Sequence, residues 1–353
     1  MARRRDLLWG KMFRAPEVLI IGSGDLADAT QSALRRHRRV RRVQAVGGIG
    51  AGLRAGSTLI LTAGVELERL MPLLASDAKP RDRSPSRVLL LSDCGSRVSM
   101  PASAAEVGAR VQFIDIERSA ARSLLARWPL HFGFDPLFGQ QVHLIIAGRT
   151  PFADALLVHA LRLAHYSELQ PVMTLLCEDP APWERDFSAA HPQAGAFSRL
   201  RFRRSEQPQL AAEAPVTGVV VCAQPANAGL ALADALARTI AAEQGLSPAI
   251  LLDVGDAVPA GSLDDWDGQI LPFSQRPMVL TPEVLLDGQG DELAQVIHEH
   301  YRDTSAAQGR DPDTEPASRP WAELADSYRY ANRHQADHLW AKLAVTDCRA
   351  VPE

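Results

Sequence analysis

Four short apolar runs mark the first third of the chain: "EVLIIG" (17–22), "STLILTAG" (57–64), "RVLLLSD" (87–93) and "VQFIDI" (111–116). Each is bounded by Gly, Ser or Asp, and each is continuously apolar rather than alternating. Strands buried on both faces require that pattern, so the runs predict a mostly parallel sheet. "DLADATQSALRR" and "ERSAARSLLARW" carry apolar residues at helical spacing between and after the runs. The alternation predicts βαβ units with right-handed crossovers, an α/β fold.

The pattern restarts near residue 141. "VHLIIAG" reads as a strand, "FADALLVHALRLAHY" as a helix and "PVMTLLCED" as a second strand. "TGVVVCA" follows as a third strand, then an Ala-rich helix ending at Gly245, then the strand "PAILLDVGD". A shift of 126 residues lays "LADA" (26–29) over "FADA" (152–155), Gly22 over Gly148 and Ala27 over Ala153. The register points to a duplicated mononucleotide-binding unit. Two stretches, 76–87 and the Pro-rich 303–320 between two helices, read as mobile loops.

At 353 residues the chain is too long for one ordinary domain. The reading divides it into a basic extension (1–13), a Rossmann-like unit (14–135), a second such unit (136–285) and a small, mainly helical segment (286–353). A net charge of -4 gives no drive towards nucleic acid or an anionic membrane. No apolar run reaches the roughly 18 residues of a spanning helix, so no direct membrane insertion is expected. The four cysteines lack CxxC spacing, and reduced thiols in a cytoplasmic protein are expected. Lysines are confined to Lys11, Lys79 and Lys342, and no Gly-Lys-Ser/Thr exists. A Walker-type phosphate loop is thereby excluded.

In "IIGSGDLA" the spacing is Gly22-x-Gly24-x-x-Ala27, after a strand and before a helix that Asp25 opens. Gly22 permits the tight turn, Gly24 admits a pyrophosphate to the backbone, and a small residue at 27 allows close helix–sheet contact. Free N–H groups and the dipole at the helix start favour the phosphate charge. A structural tight turn is the competing reading. The acid that would meet the ribose on the second strand is missing from "RRHRRVRRVQAVGG". Arg41 and Arg42 stand where an extra phosphate would be met; alternatively the run is a solvated surface, with Arg35, Arg36, Arg38 and Arg39 closing a helix.

The second turn, "AGRTPFA", keeps Gly148 and Ala153, follows Gly148 with Arg149, and has Thr150 where the middle glycine would be. A Cβ there obstructs the closest approach of a pyrophosphate. Glu178 and Asp179 end the next strand and offer acceptors for ribose hydroxyls, at a longer spacing than usual. A working and a degenerate site both remain open.

No catalytic constellation emerges. The Tyr-x-x-x-Lys pair, HExxH and GxSxG are all absent. His298 and His300, two apart on a helix, point away from each other and make a poor metal pair.

The first roughly 285 residues resemble the TrkA-type, or RCK, NAD-binding domains of bacterial potassium-channel and transporter regulators. The resemblance rests on "VLIIGSGDLADA", "VHLIIAGRTPFADALLVHALRLAHY", "LLCEDPAPWERDFSAAHPQ" and "GVVVCAQPANAGLALADALARTI". It implies binding of NAD(H), ATP or a related nucleotide without turnover. "LAQVIHEHY" (293–301) and "PWAELADSYRYANRHQADHLWAKL" (320–343) resemble the ryanodine-receptor repeat (RyR) domain, which in bacteria implies a ligand-sensing module.

On one helical wheel Trp321, Leu324, Tyr328, Leu339 and Leu343 share a stripe that also holds Asn332 and Gln335. Amides on an apolar face are costly unless hydrogen-bonded. Either Asn332 caps a helix with Gln335 completing a capping box, or Asn332, Arg333 and His338 face a cleft that reads a base. Arg329 and Arg333 would then hold phosphate or ribose.

The resulting expectation is a non-catalytic nucleotide-sensing regulator, a homodimer that binds NAD(H) or another adenine nucleotide. It would signal through domain movement or assembly, with a membrane channel or transporter as the implied partner. Two readings compete: a defence effector or scaffold reading a nucleotide-derived messenger through the RyR segment, and an NAD(P)-dependent oxidoreductase of unrecognised type.

Overall fold

The apolar runs become strands of two parallel sheets, all of them inner except "VQFIDI", which forms an edge. The structure is a computed structural model that describes residues 17–35, 39–43, 58–62, 87–93, 111–255, 269–310, 315–348 and 351. The chain divides into two units: Met1–Asp115 with Leu280–Ala331, and Ile116–Val279 with Asn332–Glu353.

The first unit contains β1 (Glu17–Ile21), α1 (Asp25–Leu34), β2 (Arg39–Val43), β3 (Thr58–Leu61), β4 (Arg87–Ser92) and β5 (Val111–Asp115). The strands are all parallel, in the order β2-β1-β3-β4-β5. Val18–Ile21, Leu59–Leu61 and Val88–Leu91 are buried, as two-sided coverage demands. Segment 280–331 is tied to this sheet by polar bonds: the Arg87 guanidinium donates to the Leu286 carbonyl (3.0 Å), and the Phe113 N–H donates to the Asp326 carboxylate (3.2 Å).

The second unit begins with α2 (Ile116–Arg127), followed by β6 (His143–Ala147), α3 (Pro151–Leu163), β7 (Val172–Cys177) and α4 (Pro180–Ala190). Then come β8 (Arg199–Arg204), β9 (Gly218–Val221), α5 (Ala226–Gln244), β10 (Ile250–Asp253), β11 (Ile270–Phe273) and α6 (Gln275–Val279). Its strands run parallel in the order β11-β10-β9-β6-β7-β8. Counted from β6, that is 6-5-4-1-2-3, the strand order of a doubly wound dinucleotide-type sheet. Ile145, Val219, Leu236, Ile240 and Leu252 lie in the core on its α5 face. α5 stops at Gly245, whose φ of 67° supplies the left-handed cap.

His143 is fully buried yet satisfied: its ring bonds the Ala214 carbonyl (2.6 Å) and the Thr174 hydroxyl (2.9 Å). Burial lowers its pKa, so the neutral tautomer fits a donor on one side and an acceptor on the other.

Several expectations change. Arg39 begins β2 instead of closing a helix; α1 ends at Leu34 with Arg35 as its cap. α7 (Glu292–Ala307) runs into the stretch expected to be a loop. Trp321–Glu323 forms a separate 3-10 turn, and α8 begins only at Asp326 and continues to Val345. Asn332 therefore lies inside α8 and caps nothing, which removes the capping-box reading. The buried positions of α8 are Arg329, Ala336 and Ala341, whereas Tyr328 and Gln335 of the expected stripe are exposed. The buried face is rotated by about one residue, because paired charges and small alanines occupy it. Residues 1–13, the loop 76–86 and Cys94 lie outside the described residues. Cys177 and Cys222 are buried free thiols, and Cys348 is exposed.

Candidate functional site

Ligands of doubly wound sheets bind beyond the carboxyl ends of the strands, where the strand order reverses. In the first unit that point lies between β1 and β3. Gly22 leaves β1 with φ 138°, and a Cβ there would stand 2.0 Å from Thr62 Oγ1. Thr62, just past β3, donates its N–H to the Ile21 carbonyl at 3.0 Å. The two strand ends are thus held so close that only glycine fits.

Gly24 has φ 84°, and nothing lies within 4 Å of where its Cβ would be. It is the N-cap of α1, with no side-chain capping bond. The first-turn amides of Asp25, Leu26 and Ala27 have no intrahelical acceptor; the series begins with Asp28, whose N–H reaches the Gly24 carbonyl at 3.1 Å. Ala27 is fully buried, the small contact the motif needs, while Ser23, Gly24 and Asp25 are exposed. Asp25 and Asp28 place two acids in the first turn, a charge any bound phosphate must tolerate. Arg41 and Arg42 lie on β2 beside Leu19 and Ile20 of β1, one strand away from the turn.

The corresponding turn of the second unit is built differently. Gly148 has φ 97°, and its N–H donates to the Leu176 carbonyl at 2.7 Å. A Cβ on it would meet the Ala223 backbone nitrogen at 2.5 Å, across the switch point between β6 and β9. Thr150 caps α3: its hydroxyl accepts the Ala153 N–H at 3.1 Å. Pro151 has no N–H at all, so of the first-turn amides only that of Phe152 is left without an acceptor among the described residues. Arg149 pairs with Asp186 at 2.8 Å, and Arg185 joins the same carboxylate at 2.9 Å. Those hydrogen bonds, Arg149 first, hold the Asp186 carboxyl below its ordinary range. Glu178 and Asp179 are exposed at the end of β7. Asp154 accepts the indole N–H of the fully buried Trp183 at 2.6 Å, tying α4 to α3. Replacing Thr150 by Ala is expected to cost about 1 kcal/mol, measured by urea denaturation, and to free the Ala153 amide.

The C-terminal residues are only partly brought together. Arg329 is buried; its guanidinium donates to the Trp321 carbonyl (3.1 Å), lies 5.9 Å from the Trp321 ring centroid and sits 3.6 Å from Asp326. It serves the fold of its own turn rather than an open cleft. His298 is buried beside Trp321 and bonds the Arg319 carbonyl at 2.7 Å. Tyr328 is exposed, Asn332 and Arg333 are half-buried on α8, and His338 stacks on His334 at 6.4 Å.

Sequence reasoning missed a cluster in the second unit. Arg122 donates to both carboxylate oxygens of Asp337 at 2.8 Å, and His159 Nε2 lies 3.8 Å from the same group. Burial outweighs the nearby Asp337 charge and holds His159 down at about 4. Tyr166, pushed up by burial, lines the same small cavity. Nothing in the spacing of these residues signals the cluster, since α2, α3 and α8 are far apart in sequence. Among the described residues, no group of three His, Cys, Asp or Glu is placed to hold a metal ion, and no helix is long and apolar enough to cross a membrane.

No protein-family model matches the chain, and no curated protein matches it. Among solved structures it is similar to one of the polypeptides of dipicolinate synthase from Bacillus halodurans, with 10% identity, 67% of this chain and 81% of that chain covered, and a TM-score of 0.26. The strand orders, rather than this likeness, establish two doubly wound α/β sheets.

Proposed function

We propose that the protein is a nucleotide-sensing regulator without catalytic turnover, and that the turn from Gly22 to Ala27 binds the phosphates of NAD(H) or another adenine nucleotide. One observation carries the reading: an uncapped helix start opens at the switch point, beside a glycine with free space where a side chain would be. Backbone amides and the helix dipole provide the anion site. The self-capped turn at Thr150 argues for one phosphate site per chain, in the first unit. The missing acid on β2 favours a ligand whose ribose is not gripped by a carboxylate.

Occupancy would shift domain positions or dimer assembly. The resemblance of the sequence to potassium-transport regulators makes a channel or transporter the partner we favour. A defence effector would instead read a nucleotide-derived messenger through the C-terminal segment, and so differs in its site as well as its output.

Thermal unfolding provides the test. A ligand that binds only the folded state raises stability by about 2.7 kcal/mol at 100 times its Kd. NAD(H), ATP or ADP-ribose is expected to raise the melting temperature of the wild type and of Thr150→Ala. Gly24→Ala, whose Cβ would occupy the phosphate approach, is expected to lose the shift. A shift kept by Gly24→Ala and lost by Thr150→Ala would move the site to the second unit.

A further inference from the structure

Strand β8 is an outer strand of the second sheet and, among the described residues, is hydrogen-bonded as a strand to β7 alone. Along a strand, the backbone groups of successive residues point to opposite sides within the sheet plane. The Arg199 N–H donates to the Pro171 carbonyl (2.8 Å) and the Ser205 N–H to the Cys177 carbonyl (3.0 Å), so the odd-numbered residues face β7. Leu200, Phe202 and Arg204 therefore turn their N–H and C=O groups to the open edge, where the Leu200 carbonyl accepts from the Arg201 guanidinium (3.3 Å) and the Arg204 carbonyl from the Gln207 N–H (3.0 Å). A cavity of about 360 Å³ lies against that edge, its lining including Gln170, Glu184, Ser188 and His191 together with Arg199 and Phe202. That is the lower end of the range for ligand pockets.

The side chains of β8 alternate in chemistry. Phe202 packs against Trp183 on the α4 side, at 6.0 Å between ring centroids. Arg199, Arg201 and Arg203 share the other face, where Glu213 takes Arg201 (3.3 Å) and Arg203 (2.6 Å) and Arg203 also donates to the Pro208 and Gln209 carbonyls. Among the described residues, Arg199 and Arg204 make no side-chain hydrogen bond or ion pair. The edge thus combines the outward N–H groups of Leu200, Phe202 and Arg204 and the Phe202 carbonyl, which have no backbone partner among the described residues, with an excess of positive charge and a cavity large enough for a side chain.

We propose that β8 docks one extended acidic segment of a partner protein by strand addition, with main-chain bonds supplying affinity and the cavity receiving a partner side chain. Charge decides the occupant. Two copies of β8 paired antiparallel would set arginine against arginine, and like charges directly opposite are destabilising. A segment alternating acidic and apolar residues meets Arg199 with a carboxylate and Leu200 with an apolar side chain. The proposal is independent of the nucleotide turn. Charged edge strands also serve simply to prevent aggregation, and the experiment separates that role from docking.

Fluorescence anisotropy of the full-length protein with a labelled Glu-Val-Glu-Val-Glu peptide is the test. Saturable binding that weakens with salt is expected. Affinity should fall at least about tenfold for a Lys-Val-Lys-Val-Lys peptide and for Arg199→Glu, and likewise when the peptide backbone is N-methylated. Leu200→Pro removes one outward N–H and leaves the β7 ladder intact, so the same loss is expected with unchanged circular dichroism. If that variant misfolds, Arg199→Glu and the N-methylated peptide still decide. The proposal is overturned by no binding of the acidic peptide, or by equal binding of its N-methylated form. It is also overturned if sedimentation shows a dimer that Arg199→Glu or Leu200→Pro converts to monomer, which would make a second copy the occupant.

Discussion

Gly148→Ala lowers the stability of the second unit by about 3 kcal/mol or more. Two terms add. At φ 97° a side chain is strained, at about 1–2 kcal/mol for a left-handed residue. The new Cβ would also lie 2.5 Å from the Ala223 nitrogen and 2.7 Å from its Cα. These are backbone atoms and cannot rotate away, so the ends of β6 and β9 must part; overpacking of that kind costs about 1–3 kcal/mol. Gly24→Ala is the control, because at φ 84° it meets nothing within 4 Å and carries only the conformational term. Hydrogen exchange on the strands of each unit resolves the two effects, which a single melting curve would merge. Equal destabilisation by both substitutions would mean that the β6–β9 approach is looser than described.

Acidification from pH 6.5 to 4 destabilises the second unit through His159, by on the order of 3 kcal/mol. The imidazole titrates near 6.5 in the unfolded chain and at about 4 when folded, chiefly because it is buried. A group whose folded pKa is depressed contributes stability that is complete above the unfolded pKa. That stability is lost as pH falls towards the folded value, because the unfolded chain takes up the proton first. Burial lowers His143 and His334 in the same direction, so both add to the loss, while burial of Asp154, which raises its pKa, opposes it. Urea titrations at stepped pH should show His159→Asn with a slope about one proton shallower than the wild type between pH 6.5 and 4. An unchanged slope would show that His159 is hydrated and titrates normally. Arg122 and Asp337 lie beside it, with side chains 23% and 13% exposed. Removing Asp337 would leave a sheltered guanidinium without its carboxylate, a change usually more costly than the pair is worth.

Much of this architecture was legible because inner strands of parallel sheets must be apolar on both faces. "EVLIIG", "STLILTAG", "RVLLLSD", "VHLIIAG", "PVMTLLCED" and "TGVVVCA" all became strands. The strands that no apolar run marks are β2 "RVRRV", expected only from the spacing of the glycine turn, β8 "RLRFRR" and β11 "ILPF", and each is an outer strand. An edge has one solvent-facing side and one unpaired row of backbone groups, so arginines are tolerated and Pro272 can replace a residue of the ladder. Such strands read as loops.

The glycine turns were legible as motifs, but which of them is open was not. That depends on the Thr150 hydroxyl, which could either face a ligand or cap its own helix, and which caps. The helical wheel failed at the C-terminus for a related reason. Hydrophobicity alone placed Tyr328 inward, whereas the buried positions went to Arg329, whose charge is met locally, and to alanines that allow close approach. The cluster of Arg122, His159 and Asp337 is written in tertiary contacts between distant helices, and no local pattern encodes it.

Isothermal titration calorimetry of the purified wild type and Gly24→Ala against NAD+, NADH, NADPH, ATP, ADP-ribose and cyclic nucleotides reaches the centre of this account most directly. Saturable binding of at least one of them, at one site per chain, is expected for the wild type, with loss of that heat in a folded Gly24→Ala. Silence of the wild type towards every nucleotide, or full retention of binding by Gly24→Ala, would contradict the assignment of the Gly22–Ala27 turn as the phosphate site.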